Sequence, residues 1–270
     1  MLDEKTVSGP ILQSIDLSKK FPLKSSLFSQ GKTGWLEAVK NVRLSLRTGE
    51  SVGLVGESGC GKSTLARLLC KLIEPSGGRV EFFGHPLDSL RGRKLTEFRR
   101  SVQMVFQDPM SSLNPMMRLG NIIAEPMKIH GIARGKELQK KAAALLAEVG
   151  LDPSWINRFP RTLSGGQKQR IGIARALSLN PQALICDEPV SSLDLSVQAQ
   201  ILTLLSDLQN RRGLSLLFVS HNLATVSAMT DRILVMKNGE ILEEGKNPEL
   251  FRAPNHPYTQ HLVKLAVKTI

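Results

Sequence analysis

The run Gly56-Glu57-Ser58-Gly59-Cys60-Gly61-Lys62-Ser63 fits the spacing G-x-x-x-x-G-K-[ST] without a mismatch, and that spacing suits phosphate chemistry. The glycines let backbone N–H groups turn inward around a β-phosphate. A helix opening at Lys62 adds the positive partial charge of its N-terminus. Lys62 then reaches the β- and γ-phosphates, and Ser63 offers an oxygen to Mg²⁺. Cys60 fills a variable position of the turn and receives no chemistry of its own. Further along, the apolar run Leu184-Ile185-Cys186 ends in Asp187-Glu188. In a parallel sheet this end lies beside the phosphate turn. Asp187 would hold Mg²⁺, directly or through water, and Glu188 would serve as base or orienter for the water attacking a γ-phosphate.

Such groups need elements to hold them. Ser51–Val55 reads as a short buried strand running into the turn, and residues 62–72 as the helix leaving it. Residues 11–15 and 38–46 read as strands separated by a loop at 22–34. Residues 136–149 are helical, with Leu138, Ala142, Leu145, Leu146 and Val149 on one face and Gly150 as the stop. Helices over about 165–179 and 196–210 alternate with strands at 183–186 and 214–219. Residues 232–236 and 240–242 form a hairpin across Asn238-Gly239. Strands alternating with helices predict a mostly parallel α/β sheet. The block at about 119–164 reads as an inserted helical lobe, and residues 246–270 as a short tail on a single domain spanning 1–270.

Composition narrows the function classes. At 41% hydrophobic and 22% charged residues the 270-residue chain should fold. No apolar run approaches the roughly 20 residues that cross a bilayer, and Met1-Leu2-Asp3-Glu4-Lys5 lacks the layout of a signal peptide. A cytosolic protein is expected, with any membrane role exercised through a partner or the surface. Cys60, Cys70 and Cys186 fit neither a disulfide framework nor a zinc site and read as free thiols. The net charge of +12 comes with only 4% aromatics, poor material for stacking bases. The basic clusters Arg91-Gly92-Arg93-Lys94 and Arg99-Arg100 are short. A solvated basic surface is therefore favoured over a nucleic-acid footprint.

With Leu163-Ser164-Gly165-Gly166-Gln167 lying between the two phosphate-related features, the sequence closely resembles the ATPase subunits of ABC transporters over nearly its whole length. The resemblance identifies Gly56–Ser63 as the Walker A turn, Gln107 as the Q-loop glutamine and 163–167 as the LSGGQ signature. It makes 184–187 Walker B with Glu188 as the catalytic carboxylate, Ser192-Leu193-Asp194 the D-loop and His221 the switch histidine. It implies an ABC-type P-loop fold: a mostly parallel core sheet, an antiparallel N-terminal β subdomain and the helical lobe. It implies ATP and Mg²⁺ as ligands. Two such domains would sandwich ATP, with 56–64 (including Thr64) of one subunit facing Ser164, Gly165, Gly166 and Gln167 of the other. Gln107 would touch Mg²⁺ and sense the γ-phosphate, and His221 would contact that phosphate. Phe21 sits where the family places an aromatic stacked on adenine.

A narrower resemblance is carried by Phe106-Gln107-Asp108-Pro109, Ser112-Leu113-Asn114-Pro115 and Asn255-His256-Pro257-Tyr258-Thr259. These motifs look like those of the peptide/nickel importers. Many members carry a cysteine-bearing extension for an iron–sulfur cluster; this chain has no cysteine after Cys186, so no cluster is expected. The implied partners are transmembrane permeases, an extracellular or periplasmic substrate-binding protein and a second ATPase subunit, with a heterodimer favoured over a homodimer and no nucleic acid. The implied location is the cytoplasmic face of the cell membrane. An exporter subunit, or a non-transport relative acting on nucleic acid or ribosomes, is the rival reading. The stretch 108–126, with Met110, Leu113, Met116, Met117 and Leu119 among Ser, Asn and Pro, is the expected coupling surface. Its rival role is to fill the junction between lobes.

Overall fold

A computed structural model describes residues 9–22, 34–108 and 113–267. The chain divides into two compact units, one made of the residues up to Leu90 together with those from Phe218 onward, the other of Arg91–Leu217. Part of the expected loop at 22–34, Pro109, Met110 and Ser112 lie outside the described residues.

In the first unit, β1 (Leu12–Pro22) pairs antiparallel with β2 (Trp35–Leu46). Both strands are longer than expected. Asp16 and Asn41 adopt left-handed φ of 48° and 46°, a region that Asp and Asn tolerate better than most residues, and the register shifts around them. These bulges hide the alternation from a period-two reading. Next come β3 (Ser51–Val55), all of it buried, and α1 (Lys62–Leu69), which buries Leu65, Ala66, Leu68 and Leu69. The helix stops before residue 72. The Lys71 amide donates to Leu68 O and the Leu72 amide to Arg67 O, a Schellman closure with Lys71 at φ 51° where glycine is usual. β4 (Gly77–Phe82) pairs antiparallel with β1 and with β5 (His85–Pro86), giving a four-stranded sheet in the order β2-β1-β4-β5.

The second unit opens with α2 (Gly92–Ser101) and β6 (Val102–Val105), neither of which the sequence announced. The short basic clusters lie at the ends of α2, with Arg91, Arg93, Lys94 and Arg99 exposed. Three helices follow: α3 (Leu119–Ile129), α4 (Lys136–Glu148) and α5 (Gly165–Leu177). They pack on one another through apolar faces such as Ile122, Ile123 and Met127 on α3 and Ala142 and Leu146 on α4. β7 (Ala183–Asp187) runs parallel to β6, Val102 facing Ala183 and Val105 facing Cys186. α6 (Leu195–Arg212) buries Ile201, Leu204, Leu205 and Leu208 and is closed by Gly213 at φ 62°. β8 (Ser215–Ser220) then carries the chain into the first unit again.

There, α7 (Leu223–Met229) precedes β9 (Arg232–Lys237), which is parallel to β3, and β10 (Glu240–Lys246), which is antiparallel to β9. Asn238 and Gly239 both have positive φ, as a tight hairpin requires. The chain continues through α8 (Glu249–Arg252) and α9 (Pro257–Val267). Among the described residues no helix is long and apolar enough to cross a membrane.

Candidate functional site

The first unit carries the phosphate turn between β3 and α1. Gly61 caps α1 at φ 111°, and a Cβ there would lie 2.1 Å from the Ala38 carbonyl oxygen. No side chain fits, so the motif's second glycine is dictated by contact with β2 as well as by φ. The hairpin tip ties the turn down: the Gly239 amide donates to Cys60 O at 2.9 Å and the Lys40 amide to Gly239 O at 2.8 Å. Lys62 is only 3% exposed. Its Nζ donates to Gly56 O and Glu57 O, each at 2.8 Å, so the turn's own carbonyls satisfy a buried ammonium. Ser63 and Thr64 follow in the first turn of the helix, where N–H groups lack intrahelical acceptors. Burial pushes the Cys60 thiol above its ordinary pKa, and all three cysteines are free thiols.

The same unit holds two other predicted residues. His221 is exposed on the corner between β8 and α7. The corner is held by the Asn222 amide donating to Ser220 Oγ at 3.0 Å and by Asn222 Oδ1 accepting from the Thr225 amide at 3.1 Å. Phe21 is half-buried near the end of β1, with Lys19 Nζ 5.2 Å from its ring centroid. It is not a core phenylalanine. Leu36, its partner across the strands, and the neighbouring Trp35 are both more than half exposed.

The second unit carries the acidic strand end. Asp187 is 2% exposed at the end of β7 and Glu188 8%. Gln107 Nε2 donates to Glu188 Oε2 at 3.1 Å, bringing together two residues 81 apart in sequence. Glu188 has φ 44°, an uncommon conformation for glutamate. Its carbonyl accepts from both the amide and the hydroxyl of Ser191, at 3.3 and 3.2 Å.

The signature opens α5 in the same unit. Ser164 Oγ accepts from the Gln167 amide at 3.3 Å, and Gln167 Oε1 accepts from the Ser164 amide at 3.0 Å. This reciprocal capping box leaves Ser164 and Gly165 exposed at a helix N-terminus, where anions are favoured. Gly166 faces inward: a Cβ there would lie 2.3 Å from Val197 Cγ1, and one on Gly165 3.1 Å from Leu193 Cδ2. The stretch 192–194 and the start of α6 therefore support the signature from below. Helical spacing with Ile201 marks Val197 only as an inward-facing position; its place under Gly166 is not readable from the sequence.

The donor types suit Mg²⁺, a hard cation commonly held by one or two carboxylates with substrate phosphates. Ser63, Gln107 and Asp187 offer a hydroxyl, an amide oxygen and a carboxylate. Among the described residues no group of three or more His, Cys, Asp or Glu could hold a metal by itself.

Comparison with known proteins gives these features relatives. Residues 39–191 match the family described as ABC transporter. The oligopeptide transport ATP-binding protein AppF of Bacillus subtilis is 48% identical over 254 residues, covering 94% of this chain and 77% of that protein. OppF of Haemophilus influenzae, also an oligopeptide transport ATP-binding protein, is 49% identical, covering 89% and 72%. The glutathione import ATP-binding protein GsiA of Pectobacterium atrosepticum is 45% identical over 94% of this chain, which spans only 41% of that protein. Among solved structures, a dimeric post-hydrolysis state of the ATP-binding cassette MJ0796 bound to ADP and Pi superposes with a TM-score of 0.75 at 31% identity, over 87% of this chain and 98% of that one.

Proposed function

This chain belongs to the ABC transporter family and is an ATPase subunit coupled to transport, and from that premise we propose that it powers peptide uptake through a membrane permease. The similarity to AppF and OppF over most of both chains carries the peptide reading; nickel or metal-chelate uptake is the alternative that the experiment below separates from it. The chain would sit at the cytoplasmic face of the membrane beside permease subunits, a substrate-binding protein and a second ATPase subunit, which we take to be a different chain.

Each residue has a defined task in this reading. The amides of residues 56–64 other than Glu57, whose amide donates to Tyr258, bind the β-phosphate, and Lys62 transfers donors from the Gly56 and Glu57 carbonyls to the β- and γ-phosphates. Ser63, Gln107 and Asp187 would hold Mg²⁺, which when bound neutralises charge on the phosphates. Glu188 accepts a proton from the attacking water while Gln107 holds its carboxylate. His221 contacts the γ-phosphate, and Phe21 stacks on the adenine. Ser164, Gly165, Gly166 and Gln167 bind the γ-phosphate of ATP held by the opposing subunit. Most of the rate enhancement then comes from positioning and charge stabilisation.

The test is reconstitution. The chain is purified with the permeases it retains from detergent-solubilised membranes and placed in proteoliposomes with the binding protein. Tri- to pentapeptides should stimulate hydrolysis and accumulate in the vesicles, and Lys62→Ala should abolish both. Stimulation by nickel chelates alone, or a chain that retains no permease, overturns the proposal.

A further inference from the structure

The motif Asn255-His256-Pro257-Tyr258 has no task in the reading above, yet Asn255, His256 and Tyr258 each make a defined contact. Glu243 on β10 accepts the Asn255 amide at 2.7 Å and the His256 amide at 3.2 Å, fixing the chain just before α9. Pro257 opens that helix, where a missing N–H costs nothing. His256 Nδ1 accepts the Tyr258 amide at 3.1 Å. These contacts turn Tyr258 inward, to 6% exposure. Lys237 Nζ covers its ring at 4.2 Å from the centroid, and its hydroxyl oxygen lies 3.4 Å from the Glu57 amide nitrogen. Burial pushes the phenol pKa up to about 12, so the hydroxyl stays neutral at working pH.

The contact with Glu57 bears on the phosphate turn. The Gly56–Glu57 peptide is held from both ends: its carbonyl accepts Lys62 Nζ, and its amide donates to Tyr258. All of these residues belong to the first unit. A peptide plane anchored on one side only is free to swing, and the Gly56 carbonyl that seats Lys62 would swing with it. We propose that Tyr258 is a positioning residue for nucleotide binding, locking the Gly56–Glu57 peptide so that Lys62 is held ready for the phosphates. The proposal rests on the ATP-binding role of this turn.

The test uses the full chain, comparing wild type with Tyr258→Phe, which keeps the ring, its burial and its place beneath Lys237. Loss of one hydrogen bond should raise KM for ATP about three- to tenfold, with kcat within about twofold and the melting temperature nearly unchanged, the pattern of lost uniform binding. An unchanged KM overturns the proposal. So does a loss of kcat at constant KM, or a parallel fall in kcat and melting temperature, which marks a purely structural role. Lys62→Ala, measured alongside, tests the underlying reading. If it binds ATP like wild type, the role of the turn itself is wrong; if it loses ATP while Tyr258→Phe does not, only the positioning role fails.

Discussion

Glu188→Gln tests the acidic strand end at the carboxylate proposed to take the proton. Glutamine has nearly the same shape, and its amide oxygen can still accept from Gln107 Nε2, which now sits 3.1 Å from the carboxylate. The bonds from Ser191 reach the backbone carbonyl and survive the change. The exchange weakens a charge-assisted hydrogen bond, a loss of about 1 kcal/mol, and removes a mostly buried negative charge, which acts in the opposite direction. The melting temperature should therefore move by no more than about 2–4 °C. Turnover has no such compensation. A positioned base contributes roughly two to four decades, or about 2.7–5.4 kcal/mol on the barrier. Single-turnover hydrolysis with radiolabelled ATP reads that loss, while equilibrium nucleotide binding and thermal melting read the rest. The expected variant folds, binds ATP as wild type does, and accumulates a closed ATP-bound dimer. Turnover within threefold of wild type, at saturating ATP, would refute the role given to Glu188.

Three more outcomes follow from the geometry. Gly166→Ala places a methyl 2.3 Å from Val197 Cγ1 and should cost about 1–3 kcal/mol; adding Val197→Ala should recover much of the lost melting temperature. Glu243 feels burial, which raises its pKa, but donors of the following turn, the Asn255 and His256 amides among them, leave the net pKa lowered. Its stabilisation is thus present above the ordinary glutamate pKa of about 4.3 and is lost as pH falls through the lower folded value, so Glu243→Gln should melt with a flatter pH dependence in that acid range. Met116 is 70% exposed beside Arg161, so Met116→Asp should leave melting temperature and basal hydrolysis intact while permease retention and uptake fail; unimpaired uptake rejects coupling at this residue.

The structure divides a segment that the sequence treats as uniform. Among the described residues of the coupling stretch, Leu113 and Leu119 are buried, Met117 is half-buried and Met116 is exposed. The first two fill the second unit, and Met116 faces outward; Met110 lies outside the described residues. Composition alone offers both roles to the whole stretch because Met and Leu suit packing and docking equally. The local motifs were legible for the opposite reason. A phosphate turn or a capping box needs particular residue types at fixed spacing, so Gly61, Lys62, Ser164 and Gln167 declare themselves. α2 did not, because it is largely basic and buries only Phe98, and β6 is only four residues long.

Contacts between distant positions were the least legible. Tyr258 and Glu57 are 201 residues apart, and Gly166 meets Val197 across the start of another helix. Glu188 combines both situations. Its place after Asp187 was readable, but its left-handed φ of 44° was not, since only its surroundings enforce it. Such a backbone costs of order 1–3 kcal/mol and persists where neighbours over-determine it. Here the Ser191 amide and hydroxyl hold its carbonyl while Gln107 holds its carboxylate. Glycine at this position would relax the backbone and remove the carboxylate together. The backbone strain therefore falls on the residue proposed to take the proton, and the contacts that sustain it also hold its carboxylate.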